Sequence, residues 1–87
     1  MRIVVTGAGG FIGSALLARL AASASAAGPR IEIVATDRPG AGLDDAVRRA
    51  ASPAVTPLAG DIADPALLER LLAAPVDRVF HLAGVVS

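Results

Sequence analysis

Thr6-Gly7-Ala8-Gly9-Gly10-Phe11-Ile12-Gly13 is the stretch on which the fold turns. Before it runs Ile3-Val4-Val5, a continuous β-branched apolar segment of the kind buried on both faces of a parallel sheet. After it the period changes. Ile12, Leu16 and Leu20 recur at i, i+4 and i+8 with Leu17 beside them, which predicts a helix over residues 11–22 with that stripe as its apolar face. Glycines at 7, 10 and 13 therefore sit between a strand and a helix, a setting far more specific than three glycines alone. Gly7 allows a tight turn out of the strand. Gly10 lets the backbone approach a pyrophosphate with no Cβ in the way, and Gly13 lets the helix pack closely on the sheet. The helix start adds unpaired N–H groups and a partial positive charge, so phosphates need no basic side chain there.

Outward from this centre, residues 23–29 lack any large apolar side chain and read as a frayed helix end or loop, with Gly28 and Pro29 as stop signals. Residues 31–36 form a second strand, closed by Asp37-Arg38-Pro39-Gly40, and residues 44–51 a weaker helix. Residues 54–58 read as a third strand, which Pro57 consigns to an edge. Asp64-Pro65 opens a helix with a good cap and proline at its first position; Leu67, Leu68, Leu71 and Leu72 supply its buried stripe, and Ala74-Pro75 ends it. Residues 76–82 form the fourth strand. The sum, βαβαβαβ, predicts an α/β fold with helices layered on a parallel sheet, because helical crossovers return the chain to start each strand in the same direction. Right-handed crossovers favour the strand order 3-2-1-4, the opening part of a doubly wound sheet, with strand 4 left as a bare edge.

Composition bounds the chemistry. The chain has 87 residues, 54% hydrophobic and 2% aromatic, with eight acidic residues balancing eight basic ones. It is one small domain at most, burying about 60–65% of the surface its unfolded form exposes. Balanced charge without like-charge runs argues against nucleic-acid and membrane-surface partners. Mean hydropathy is +0.64, but it comes from Ala and scattered aliphatics, and no run approaches the ~18–20 apolar residues of a spanning helix. The N-terminus has too short an apolar run for a signal sequence, so a cytoplasmic protein is the expectation. Cysteine is absent and histidine single, which excludes disulfides, thiolate nucleophiles and Cys- or His-rich metal sites. There is no Tyr, and all eight basic residues are Arg, so there is no Lys. Any mechanism that needs a phenol or a side-chain amine is outside this chain.

The remaining candidates lie at strand ends. Asp37, 24 residues beyond Gly13, is placed to accept hydrogen bonds from ribose hydroxyls; it also suits a turn before Arg38-Pro39-Gly40, and both roles are compatible. A carboxylate there repels a 2′-phosphate and favours NAD over NADP, while Arg38 beside it is the type of residue an NADP site would use. Asp61, in Gly60-Asp61-Ile62, can accept from an adenine amino group with Ile62 against the ring, or be a plain loop aspartate. Leu82-Ala83-Gly84-Val85 leaves strand 4 with small residues, which suits either a backbone passing close to a cofactor or a simple tight exit. His81, among apolar neighbours, reads as a satisfied core histidine rather than a base or ligand. Arg48-Arg49 marks a solvated helix face.

Taken together, Thr6-Gly7-x-x-Gly10-x-x-Gly13, Asp37, Gly60-Asp61-Ile62 and Phe80-His81-Leu82-Ala83-Gly84 resemble the extended short-chain dehydrogenase/reductases, the NAD-dependent epimerase/dehydratase group, over essentially the whole chain. The resemblance implies a Rossmann-type sheet, Phe11 and Ile12 over the pyrophosphate, Asp37 on the ribose, Asp61-Ile62 bracketing adenine, and Leu82 to Val86 lining the way to the nicotinamide ribose. It implies NAD as cofactor, a sugar-derived substrate oxidised or epimerised by hydride transfer, and complete members that are often dimeric. The segment from His81 to Ser87 is similar to that of D-erythronate dehydrogenase-like members. One departure is large: the family's chemistry uses a Tyr-x-x-x-Lys pair, its Tyr the acid/base, plus a Ser or Thr further along, and Ser87 comes too early for that hydroxyl. Residues 1–87 are thus expected to be the N-terminal part of a dinucleotide-binding domain, a truncated chain without catalytic residues of its own. The alternatives are a non-enzymatic dinucleotide-binding or sensor module and an inactive gene remnant.

Overall fold

β1 (Arg2–Thr6) occupies an inner position in a four-stranded parallel sheet of order β3-β2-β1-β4. The computed structural model describes residues 1–27 and 30–82. From β1 the chain runs through α1 (Phe11–Ala27), β2 (Glu32–Asp37), α2 (Leu43–Ala50), β3 (Val55–Ala59), α3 (Pro65–Leu71) and β4 (Arg78–His81). This is the α/β, Rossmann-like arrangement that the alternation of strands and helices predicts. Ile3 and Val5 point to one face, where they pack with Leu17 and Ala21 of α1 and Leu43 and Ala46 of α2. Val4 points to the other and meets Val34, Leu67 and Leu71. A strand covered on both faces has no use for alternating polar residues, which is why β1 is apolar throughout its middle.

The buried face of α1 differs from the expected one. Leu17, Ala21 and Ala24 are the buried residues, Leu16 and Leu20 pack at the margin, and Ile12 is 61% exposed. Gly13 lies on the same stripe as Leu17, Ala21 and Ala24, and the helix turns its smallest side chains toward the sheet so that the two backbones can approach. α1 also continues through Ala27 instead of fraying from Ser23. Alanine is the best helix former, and the burial of Ala24 adds tertiary support. Gly28 and Pro29, the expected stop signals, lie outside the described residues.

α3 starts as expected, with Asp64 at the cap: its Oδ1 accepts from Ala66 N at 3.0 Å, and Pro65 follows. Its apolar stripe is narrower than expected. Leu67 and Leu71 are buried, but Leu68 and Leu72 are exposed, and the helix ends at Leu71 rather than at Ala74-Pro75. A short helix touching a sheet with one face buries positions four apart and turns their neighbours away. Arg2 Nη2 donates to Leu71 O at 3.1 Å and ties down that helix end. Among the described residues β3 is an edge strand paired only with β2, so Pro57 withholds its N–H without breaking the sheet. β4 pairs only with β1 and forms the opposite edge among the described residues.

Leu17→Ala should lower stability by about 2–5 kcal/mol, because it empties a fully enclosed site, whereas Leu72→Ala at an exposed position should cost less than about 1 kcal/mol. Urea denaturation followed by circular dichroism measures both.

Candidate functional site

β1 stops at Thr6 and α1 starts at Phe11, so the chain must turn sharply between them. Gly7 makes the turn with φ of 69°, in the left-handed region that a side chain disfavours. Gly10 N donates to Gly7 O at 3.1 Å and Ser14 N to Gly10 O at 2.8 Å, which carries the turn directly into the helix. The N–H groups of Phe11, Ile12 and Gly13 precede that first helical bond and form the positive mouth of α1. A Cβ on Gly13 would lie 2.0 Å from Gly7 O, a contact no side chain can make. Gly10 is different: the nearest atom to a Cβ there is Gly7 O at 3.4 Å, so the space beside it is open.

Gly9, given no separate role by the sequence, proves to be as constrained as Gly13. A Cβ at Gly9 would fall 2.1 Å from Ala41 O, because the turn packs against the loop between β2 and α2. The signal was present as a second cluster of small residues, Gly40-Ala41-Gly42. Asp37, the last residue of β2, joins the two loops. Its Oδ2 accepts from Gly9 N at 2.9 Å and its Oδ1 from Arg38 N at 2.8 Å. Ala8 N donates to Thr36 O at 3.1 Å alongside. Asp37 is therefore a brace for the glycine turn, and each of its oxygens keeps further acceptor capacity.

These elements enclose a cavity of about 490 Å³ at the C-terminal edge of the sheet. Gly7 and Gly10 border it from the turn, and Asp37 and Arg38 from β2. Asp61 and Ile62 reach it from the exit of β3, and Leu82 from the exit of β4. Phe11 and Ile12 are not part of its lining; they stand at the mouth of α1, 91% and 61% exposed. Gly13 is buried beneath the turn. Ala83 and Gly84, like residues 85–87, lie outside the described residues. Asp61 also has a local role, its Oδ1 accepting from Ala63 N at 2.9 Å in the turn that leads to α3. Thr36 borders the cavity too, and its buried Oγ1 has no hydrogen-bond partner among the described residues.

His81 departs from the core position expected of it. It lies exposed at the end of an edge strand, but its Nδ1 is bonded, 2.8 Å from Thr6 Oγ1. Among the described residues β4 has a strand neighbour on one side, and the ring is exposed. Arg48 and Arg49 are exposed on α2, as expected of a solvated face. Among the described residues no cluster of three or more His, Asp or Glu side chains can hold a metal ion.

Gly13→Ala should lose much of the stability of the native state, since α1 must move off β1 to admit the methyl group. Gly10→Ala should stay within about 1 kcal/mol of the parent, having open space to enter. Thermal melts of the two variants side by side test the contrast.

A family model described as the NAD dependent epimerase/dehydratase family matches residues 3–87. No match was found among curated proteins. The matched span takes in the glycine turn, Asp37, the Asp61 turn and all four strands, so the chain belongs to the NAD dependent epimerase/dehydratase family.

Proposed function

We propose that residues 1–87 are the N-terminal part of a dinucleotide-binding domain and that they hold NAD at the cavity above the glycine turn. Membership of the family implies a nicotinamide dinucleotide cofactor. The observation that carries the reading is the contrast between Gly13, closed against Gly7 O, and Gly10, open beside the mouth of α1. The turn is thus anchored underneath and clear on the side where a diphosphate would meet main-chain N–H groups. The spare acceptor capacity of Asp37 on the cavity wall fits a polar ligand there.

In this reading Gly7, Gly10 and Gly13 shape the diphosphate seat, with Phe11 and Ile12 above it. Asp37 takes the adenosine ribose, and Asp61 with Ile62 brackets adenine. Leu82, followed by Ala83 and Gly84, leads toward the nicotinamide ribose. Asp37 favours NAD over NADP by charge, while Arg38 on the same cavity softens that preference. When bound, the cofactor would carry hydride to or from a carbinol carbon of a sugar-derived substrate, in oxidation or epimerisation. The acid–base partner must come from elsewhere than a Tyr-Lys pair in this sequence, which has neither residue. A second reading is a non-enzymatic module that binds or senses the dinucleotide, which needs neither residue. No helix among the described residues is long and apolar enough to cross a membrane, and a cytoplasmic setting is part of the proposal.

Millimolar NAD should raise the melting temperature by about 10–20 °C if it lies a hundredfold above Kd, since such saturation adds about 2.7 kcal/mol to a small domain. No shift with NAD or NADP would overturn the reading. Gly10→Val should melt independently of NAD. Asp37→Ala should weaken NAD about tenfold or more and narrow its advantage over NADP, while Asp37→Asn keeps an acceptor for Gly9 N and preserves the turn. Unchanged NAD affinity in Asp37→Ala would remove the ribose role.

A further inference from the structure

At the β4 end of the cavity a side-chain relay runs from the surface to the backbone. Among the described residues β4 has a strand neighbour only in β1, so the bonds between those two strands are what hold its C-terminal end. Leu82, which lines the cavity just beyond β4, donates its N–H to Thr6 O at 3.2 Å and to Thr6 Oγ1 at 3.0 Å. The same Oγ1 lies 2.8 Å from His81 Nδ1. Thr6 and His81 are register partners, so their side chains project on one face of the sheet, and the contact bridges the two strands where the ladder ends. With Leu82 N–H directed into Oγ1, the threonine hydroxyl can donate to an unprotonated Nδ1, or Nδ1–H can donate to Oγ1. In either tautomer the imidazole bonds the Thr6 oxygen that receives the Leu82 amide.

We propose that His81 is a positioning residue for the second nucleotide of the bound dinucleotide: through Thr6 it fixes the Leu82 backbone at the β4 end of the cavity. The inference rests on the dinucleotide reading above and deepens it. The strand order separates the cavity into two ends. Asp37, Arg38, Asp61 and Ile62 come from β2 and β3 on one side of the α1 mouth, and Thr6 and Leu82 from β1 and β4 on the other. A ligand with two nucleotides joined at the mouth must reach both ends, whereas AMP needs only the first. A residue acting at the β4 end should therefore affect NAD and spare AMP, a split that general loss of stability cannot produce.

The test is calorimetric titration of NAD and of AMP into the 87-residue chain and its variants, each with a thermal melt. His81→Gln, whose amide sits beyond the place of Nδ1, should weaken NAD roughly three- to tenfold, the worth of one hydrogen bond, with AMP affinity unchanged. His81→Asn puts a polar atom where Nδ1 was and should restore NAD binding. Thr6→Val, isosteric and suited to a buried strand, should reproduce the NAD-selective loss with His81 intact, and covers the case in which His81→Gln does not fold. Equal weakening of NAD and AMP, unchanged NAD binding in both His81→Gln and Thr6→Val, or failure of His81→Asn to rescue would each overturn the proposal. If the parent chain binds AMP but His81→Gln leaves NAD untouched, the positioning role fails alone; if the parent binds neither ligand, the dinucleotide reading fails and takes this one with it.

Discussion

The Gly7 carbonyl occupies the space that a side chain at residue 13 would need, and the rest of the molecule is arranged around that contact. It brings the first turn of α1 against the end of β1, which sets the helix mouth at the C-terminal edge of the sheet. The same approach selects the small residues Ala21 and Ala24 further along the helix and leaves Leu17 as the large side chain filling the interface. A larger residue at 13 would tilt α1, lift Leu17 and move the mouth, so the packing and the shape of the cavity depend on one missing Cβ.

Asp37 shows how a single carboxylate can join two loops while bordering the cavity. Its bond to Gly9 N joins the turn after β1 to the end of β2, and Gly9 in turn packs on Ala41 of the next loop. Hydrogen bonds to an ionised acceptor are among the stronger ones, which suits a joint between two loops with few side chains of their own. Because that bond uses the Gly9 amide, attraction of an anion falls to the first-turn N–H groups of α1. The sequence has no lysine, so the side-chain cation that borders the cavity is Arg38, beside the partial positive charge of the helix mouth.

Much of this was legible in the residues. The change of period across Gly7 to Gly13 marked the βα unit, Asp64-Pro65 the start of α3, and Pro57 an edge strand, each through local chemistry that neighbours seldom override. What misled was amphipathic spacing read alone: Ile12 and Leu72 sat on expected apolar stripes but are exposed. Their helices are rotated by what the sheet will accept at Gly13 and at Leu67, and periodicity specifies a face only to within a turn of the helix. The end of α1 was misjudged for a related reason, since alanines without large neighbours look like a loop until a surface is found for Ala24.

The amino-acid order by itself determined the element sequence, the parallel sheet and the glycine turn, because these follow from side-chain periodicity and from where a Cβ is absent. Tertiary structure alone decided that Gly9 meets Ala41, that Asp37 grips the turn, and that His81 reaches Thr6 across two strands. Those contacts join residues 28 to 75 positions apart, and only strand register and loop packing, properties of the folded whole, bring such distant groups within reach of a hydrogen bond.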